Sequence, residues 1–312
     1  MSIVRVVTRA RLRSAPSMSL PTAAAPDDRP DGGAVARNSE FGWEDFDPHA
    51  YKAHNYETLR PDDQLIVSGV RDHFAKSRLA PHARGLDIGP GANLYPTMAM
   101  LPFCAKVDLI EYSPANVAWL LAHQRRRSRF DRSWHPFWKV YGGNAAYGDY
   151  VRGHNPLVEF RRKANVSQGS IFKLKRRTWD IGTMFFVACS LSDNADHFRH
   201  AVNCFLQALK PGAPYAAGFM TGSDGYEVNG RRFPAVPVSR EMIEDTLAEL
   251  APKSRVVEIP TDLRPGVGMV LATGYRRPVS RPPAKVQTKA APPASARTRT
   301  QTPDREPAPA TV

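Results

Sequence analysis

The chain has 312 residues, 42% of them hydrophobic, which is enough for one substantial core or two small ones, and it carries a net charge of +13. Its three cysteines, Cys104, Cys189 and Cys204, are odd in number, widely spaced and without a CxxC pair. That argues against a disulfide framework and against a zinc or other metal site, and fits a reducing, cytoplasmic setting. No stretch approaches the roughly 18 consecutive apolar residues of a membrane span.

The charge would point to nucleic acid if it were central, but it is concentrated at the ends. Residues 1–38 carry six Arg against three Asp (+3), and residues 276–312 carry eight Lys and Arg against Asp304 and Glu306 (+6), leaving +4 for 39–275. Charge placed this way favours weak contact with anionic surfaces and says little about chemistry in the middle. Residues 1–38 and the proline-rich 276–312 lack apolar periodicity and read as disordered basic tails, the first with some transit-peptide character.

Between the tails, strands and helices alternate. Residues 39–80 form an N-terminal cap. Gly85-Leu86-Asp87-Ile88-Gly89 is a short apolar run ending in a glycine turn, and Val107 to Tyr112 is a second run. Ser113 followed by Pro114 is an N-cap with proline in the first helical position, opening a helix through Val117, Leu120 and Leu121. Residues 131–163 break the pattern with Trp134, Phe137, Trp138, Tyr141, Tyr147 and Tyr150. An insertion of this kind reads as a lid or binding element, or as added core, with Trp134 and Trp138 on one helical face.

A third strand falls before Gln168-Gly169, a fourth over Asp180–Val187, and a fifth over Tyr215–Met220. Phe198, Ala201, Val202, Phe205 and Leu209 recur at helical spacing until Pro211-Gly212. Ser239 caps a helix carrying Ile243, Leu247 and Leu250, and Arg255–Ile259 and Gly268–Ala272 are the last strands. Strands apolar almost throughout belong to a sheet covered on both faces. The expected fold is therefore α/β, with a doubly wound sheet and helices on both faces.

The turn Asp87-Ile88-Gly89-Pro90-Gly91 carries the chemistry. Glycine there lets the backbone turn sharply and lets a ligand approach the main chain. Glu111 ends the next strand, 24 residues after Asp87, where a carboxylate accepts both hydroxyl protons of a ribose. A dinucleotide fingerprint requires a third glycine where Leu94 stands, and a phosphate-binding loop requires Gly-Lys-Ser/Thr, which is absent. A nucleoside without phosphate fits this turn, and S-adenosylmethionine is such a ligand.

Asp87 to Tyr95 and Glu111-Tyr112-Ser113-Pro114-Ala115-Asn116 resemble the first two motifs of the small-molecule N-methyltransferases that act on nicotinamide, phenylethanolamine and thioethers. Phe46-Asp47-Pro48-His49-Ala50-Tyr51 through Tyr56 resembles the family's N-terminal tyrosine segment. Gly225-Tyr226 through Phe233, with Ser239-Arg240-Glu241, resembles its substrate-side hairpin and the following helix. The likeness spans roughly residues 41–275 and is nearest to an actinobacterial group, which the Arg/Ala/Pro-rich tails fit.

The resemblance implies a class I, Rossmann-like methyltransferase with a seven-stranded sheet over 39–275, using S-adenosylmethionine and acting on a small molecule, at nitrogen. It implies that Gly89, Gly91 and Tyr95 line the methionine end of the cofactor, with Asp87 also among the cofactor-binding residues. Glu111, Tyr112 and Asn116 would serve the ribose, Ser170 and Ile171 the adenine, and Tyr51 and Tyr56 would close over the site. The family's amine methylators keep an aspartate at the end of the fifth strand, where this chain has Phe219-Met220.

Methyl transfer from a sulfonium needs alignment and exclusion of water more than a strong base. If a base is used, Asp224, Asp193 and His54 are candidates beside Tyr51, each with a turn, capping or solvated reading next to it. Two other readings stay open. One is methylation of RNA or another macromolecule; the Asn/Asp-Pro-Pro-aromatic motif of DNA base methylators is replaced by Ala188-Cys189-Ser190-Leu191. The other is a non-catalytic cofactor-binding regulatory module. The chain is expected to be a monomer or weak dimer with no membrane partner.

Overall fold

The computed structural model describes residues 41–80, 82–125 and 132–278. The tail 1–38 and all but the first three residues of 276–312 lie outside the described residues, as does the expectation of disorder for them.

A 3-10 turn (Trp43–Asp45) leads into α1 (Pro48–Tyr56) and α2 (Pro61–Phe74). Strand β1 (Ala83–Ile88), helix α3 (Tyr95–Met100), strand β2 (Cys104–Glu111) and helix α4 (Pro114–Gln124) follow. The insertion forms α5 (Trp134–Tyr141), α6 (Ala145–Gly153) and α7 (Pro156–Lys163). Then come β3 (Ala164–Gln168), β4 (Ile181–Phe185), α8 (Ala195–Ala208) and β5 (Pro214–Thr221). The hairpin β6 (Gly225–Val228) and β7 (Arg231–Pro234) precedes α9 (Arg240–Ala248), β8 (Arg255–Ile259) and β9 (Gly268–Tyr275).

Seven strands form one sheet in the order β3-β2-β1-β4-β5-β9-β8, and β6-β7 stands apart as a two-stranded ribbon. The first five are parallel, and β9 runs antiparallel to both β5 and β8. The order reverses between β1 and β4, which opens a crevice beyond their carboxyl ends. Strand β4 is buried at every position and β5 at all but its last, as their unbroken apolar runs require.

Local chemistry sets the helix starts. Ser113 Oγ accepts from Asn116 N, and Ser239 Oγ from Met242 N, with proline opening α4 as expected. In the Ser192–Ala195 stretch the cap is Asn194, whose side chain accepts from Asp196 N (2.8 Å) and His197 N (3.1 Å). Helix α8 buries Phe198, Ala201, Val202 and Phe205 against the sheet, and each phenylalanine contributes roughly 1.5–3 kcal/mol.

The insertion is core rather than lid. Trp134, Phe137, Trp138 and Tyr141 share one face of α5, and all are buried. Tyr141 Oη donates to Tyr95 O (2.8 Å) and Tyr147 Oη to Ala99 O (2.9 Å), so the insertion binds the backbone of α3. On the opposite side of the crevice, the β6–β7 hairpin clamps the N-terminal segment. Phe46, Val228 and Phe233 form a small cluster with Trp43, Tyr51 and Tyr226 packed on it. Arg231 pairs with Asp45, and Asn229 Nδ2 donates to Asp47 Oδ2 at 3.1 Å. None of the described helices is long and apolar enough to cross a membrane.

Candidate active site

Beyond Ile88 the chain turns through Gly89 (φ +61°) and Gly91 (φ +56°), both in the left-handed region that favours glycine. Gly89 N donates to Ile110 O (2.8 Å), tying the turn to β2. The two glycines serve different ends. A Cβ on Gly89 would stand 2.6 Å from Val187 Cγ2, whereas one on Gly91 would meet only Asn116 Nδ2, at 3.7 Å. Packing requires the first, and the second leaves room above the turn.

Glu111 is buried at the end of β2. Its Oε2 accepts from Gly91 N and its Oε1 from Ser113 N, each at 2.8 Å. A carboxylate with two bonds made keeps lone pairs for two more. Burial pushes its carboxyl up from the ordinary range, against the opposing pull of the Ser113, Gly91 and Tyr112 N–H groups and the Asn116 side chain.

A cavity of about 90 Å³ lies over the turn, lined in part by Gly89, Gly91, Glu111, Tyr112 and Asn116. Asn116 and a further lining residue, Trp43, carry buried atoms without a hydrogen-bond partner, Asn116 through Oδ1 and Trp43 through Nε1. Such atoms are exceptions in folded proteins, and on residues that line a cavity they are candidates for a polar ligand's contacts. A ribose diol on Glu111, with further polar groups for Asn116 and Trp43, satisfies this set, so the residues present fit S-adenosylmethionine.

A second cavity, of about 350 Å³, adjoins the first. Tyr51, Tyr56, Phe186, Ser190 and Tyr226 line both and mark where they meet. Phe186 holds φ +60°, an uncommon conformation for a non-glycine residue, with its N–H donated to Gly218 O (2.8 Å). Tyr56 packs edge-on to Tyr51 and Tyr95, lies 5.8 Å from the Trp134 ring, and accepts from Asn93 Nδ2 at 3.2 Å. Burial raises both the Tyr51 and Tyr56 hydroxyls, so they stay protonated and act as donors rather than bases.

Among the polar residues that line the larger cavity is Asp63, in the first turn of α2. Its neighbour Asp62 is fully engaged. It accepts from Arg60 Nε (3.1 Å) and Nη2 (3.3 Å), Asp63 N (2.7 Å) and Thr261 Oγ1 (2.7 Å). Asp63 is 1% exposed, and its closest cation is Arg60 Nε at 3.6 Å. Its Oδ2 is buried without a hydrogen bond. Burial pushes its carboxyl up to about 7, outweighing the pull of Arg60.

Of the positions expected from sequence, Gly89, Gly91, Glu111, Tyr112 and Asn116 come together on the smaller cavity, and Tyr51 and Tyr56 bridge the two. Four do not line either cavity. Asp87 is 1% exposed, and its two oxygens accept from Thr97 Oγ1 (2.5 Å) and Thr183 Oγ1 (2.8 Å), so it fastens α3 and β4 to β1. Tyr95 is fully buried beneath the turn, stacked on Phe137 with centroids 5.6 Å apart. Ser170 and Ile171 are buried after β3, with Ser170 Oγ accepting from Phe172 N.

Of the candidate bases, only Tyr51 and His54 line the larger cavity. Asp224 is 86% exposed and paired with Arg232, and Asp193 is exposed, both away from the cavities. Sequence reasoning missed Asp63, Trp43, Asn93, Phe186 and Tyr226 as site residues. Asp62-Asp63 after Pro61 reads as an ordinary acidic first turn complementing a helix dipole. Nothing local separates the engaged aspartate from the unengaged one.

A doubly wound sheet with a reversed last strand, a glycine turn after β1 and a buried acid closing β2 define a class I, Rossmann-like methyltransferase. A model of the NNMT/PNMT/TEMT family matches residues 35–264, and the chain belongs to that family. It is an S-adenosylmethionine-dependent methyltransferase of the small-molecule kind. No curated protein matches it in sequence.

Solved structures similar to it include the N-methyltransferase NodS from Bradyrhizobium japonicum WM9 (14% identity, TM-score 0.44), which covers 70% of this chain and 98% of its own. Another is the Burkholderia thailandensis 1,6-didemethyltoxoflavin-N1-methyltransferase with bound 1,6-didemethyltoxoflavin and S-adenosylhomocysteine. It is 13% identical with a TM-score of 0.46, over 80% of this chain and 94% of its own. The DhpI–S-adenosylhomocysteine complex is 16% identical with a TM-score of 0.46, over 74% of this chain and 91% of its own.

Proposed function

We propose that this enzyme methylates a nitrogen atom of a small acceptor held in the larger cavity, with the donor held over the glycine turn. The observation that carries the reading is the shared wall: the two cavities meet at Tyr51, Tyr56, Phe186, Ser190 and Tyr226. S-adenosylmethionine, when bound, supplies a methyl group already activated by a sulfonium. The chain's own residues then have to align the acceptor and keep water out.

In this reading Glu111 receives the ribose hydroxyls, and Asn116 and Trp43 complete the polar contacts. The backbone at Gly89 and Gly91 gives the donor close approach. Tyr51 and Tyr56 offer protonated hydroxyls for positioning and ring faces that favour a cation. The volume of the larger cavity suits a small molecule.

Calorimetry with S-adenosylhomocysteine, followed by a methyl-acceptor screen read as S-adenosylhomocysteine release, tests the proposal. Binding and turnover confined to amines are expected. A folded protein that does not bind S-adenosylhomocysteine, or that methylates thiols or hydroxyls and no amine, would sink it.

A further inference from the structure

Besides the exposed Glu227, and Arg60, which pairs with Asp62 and Asp63, two charged side chains line the larger cavity with hydrogen-bonding capacity left over. One is Asp63, described above, on α2. The other is Arg264, on the segment between β8 and β9, which lines the same cavity. Its guanidinium donates to Gly225 O (2.8 Å) and Ser223 Oγ (3.3 Å), both neutral, and it pairs with no carboxylate among the described residues. Three of its five N–H groups remain for a ligand.

The two groups are brought to one cavity by a structural tie. Asp62 Oδ2 accepts from Thr261 Oγ1 (2.7 Å), whose oxygen also accepts from Leu263 N (3.2 Å), so the Arg264 segment is fastened to the start of α2. Tyr51 lies within the electrostatic reach of both charges: Asp63 raises its hydroxyl and Arg264 lowers it. A buried carboxylate with an oxygen that accepts no hydrogen bond and only a 3.6 Å ion pair, and a half-buried guanidinium on neutral oxygens, are each costly unless a ligand completes them.

We propose that the acceptor is an amine that also carries an anionic group, with its nitrogen held by Asp63 and its anion by Arg264. This rests on reading the larger cavity as the acceptor site. It also accounts for the missing acid at the end of β5, where Met220 lines the cavity: the carboxylate comes from the N-terminal cap instead.

The chemistry balances on these groups. An ammonium is not a nucleophile, so its proton passes to Asp63, which becomes a neutral carboxylic acid. The freed nitrogen lone pair forms the new N–C bond as the C–S bond breaks, and that bonding pair stays on sulfur, leaving a neutral thioether. A carboxyl raised by burial is a better acceptor of this proton than an ordinary one.

The test uses the full chain and matched probes: γ-aminobutyrate against butylamine, para-(aminomethyl)benzoate against benzylamine, and phosphoethanolamine to separate phosphate from carboxylate preference. S-adenosylhomocysteine calorimetry on the same samples reports the donor site independently. Anionic probes should exceed their parent amines, and Arg264→Gln should raise KM for the anionic probes roughly 10- to 100-fold. The rise for the parent amines should be smaller, so that the preference for the anionic probe over its parent amine falls in the variant.

For wild type, kcat/KM should rise with pH through about 7 as Asp63 ionises, among Arg60 at the N-cap and Asp62 on its own helix, Tyr51, His54 and Tyr56 on α1, Tyr95 on α3, and Glu227 and Arg264, which line the same cavity. Asp63→Asn should lower kcat/KM for every amine and abolish that rise, and Asp63→Glu should restore part of both. The proposal is overturned if parent amines match their anionic analogues, or if neither anionic series is turned over by protein that binds S-adenosylhomocysteine. It is also overturned if Asp63→Asn keeps the wild-type pH profile. Failure of S-adenosylhomocysteine binding would instead remove the underlying site reading.

Discussion

Removing the Glu111 carboxylate tests the donor site most directly. In Glu111→Ala, Gly91 N and Ser113 N each lose an acceptor now 2.8 Å away, and the proposed ribose contacts disappear with them. A hydrogen bond to a charged group contributes roughly 1.5–3 kcal/mol. Two such contacts to ribose hydroxyls amount to about 3–4 kcal/mol after some relaxation, or roughly a 10²- to 10³-fold rise in Kd. Glu111→Gln is milder and more diagnostic. A carboxamide has one acceptor oxygen, so one of the two backbone N–H groups faces an NH₂ instead. We expect a roughly 10- to 100-fold rise in Kd and a stability loss of about 1–3 kcal/mol. Calorimetry with S-adenosylhomocysteine measures the first and urea unfolding the second. A folded Glu111→Ala protein with wild-type affinity would refute the reasoning, because no other group in the cavity offers a carboxylate to a diol.

The glycine turn predicts a contrast. Gly89→Ala should cost about 1–3 kcal/mol of stability through the Val187 contact and the positive φ, whereas Gly91→Ala should weaken S-adenosylhomocysteine binding with a smaller stability loss, compared by unfolding and calorimetry. Burial pushes the carboxyl of Asp87 up to about 7 between Thr97 and Thr183, with Glu111 adding in the same direction. A raised folded-state value means stability present below about pH 4 and lost as pH rises through about 7. Asp63 contributes in the same window. Asp87→Asn should therefore flatten the fall in stability between about pH 4 and 8, and urea midpoints that keep the full wild-type slope would contradict this. Trp134→Ala should cost about 3–5 kcal/mol in urea unfolding and loosen Tyr56, whose ring lies 5.8 Å away. Asp224→Asn should change kcat by less than about 2-fold, since that side chain is 86% exposed and lies outside both cavities.

Much of the frame was legible before any coordinates. The apolar runs ending at Ile88, Glu111, Phe185 and Thr221 are strands because each is long enough and apolar enough to be buried on both faces. Ser113-Pro114 and Ser239 start helices because capping is settled within three or four residues. The Gly89–Gly91 turn and Glu111 were legible for the same reason, since the register of β1 on β2 sets the acid's position relative to the turn.

Side-chain direction was not legible in this way. Asp87 and Tyr95 flank the turn in sequence, yet they face the threonines and the Phe137 ring and line neither cavity. The aromatic insertion reads in sequence equally as a lid or binding element or as added core, because its hydroxyl- and indole-bearing rings stand among polar residues. It became core because Tyr141 and Tyr147 found backbone carbonyls on α3.

By itself, then, the chain's sequence determined the strand–helix alternation, the glycine turn and the acid that closes β2, all of which depend on contacts within a few residues or on neighbouring strands. Only the tertiary structure decided which of two adjacent aspartates is engaged and which faces the larger cavity. Asp62 is satisfied by Thr261, 199 residues away along the chain, and Asp63 is left beside Tyr51 and Tyr56. That distinction follows from long-range packing, which no local pattern encodes.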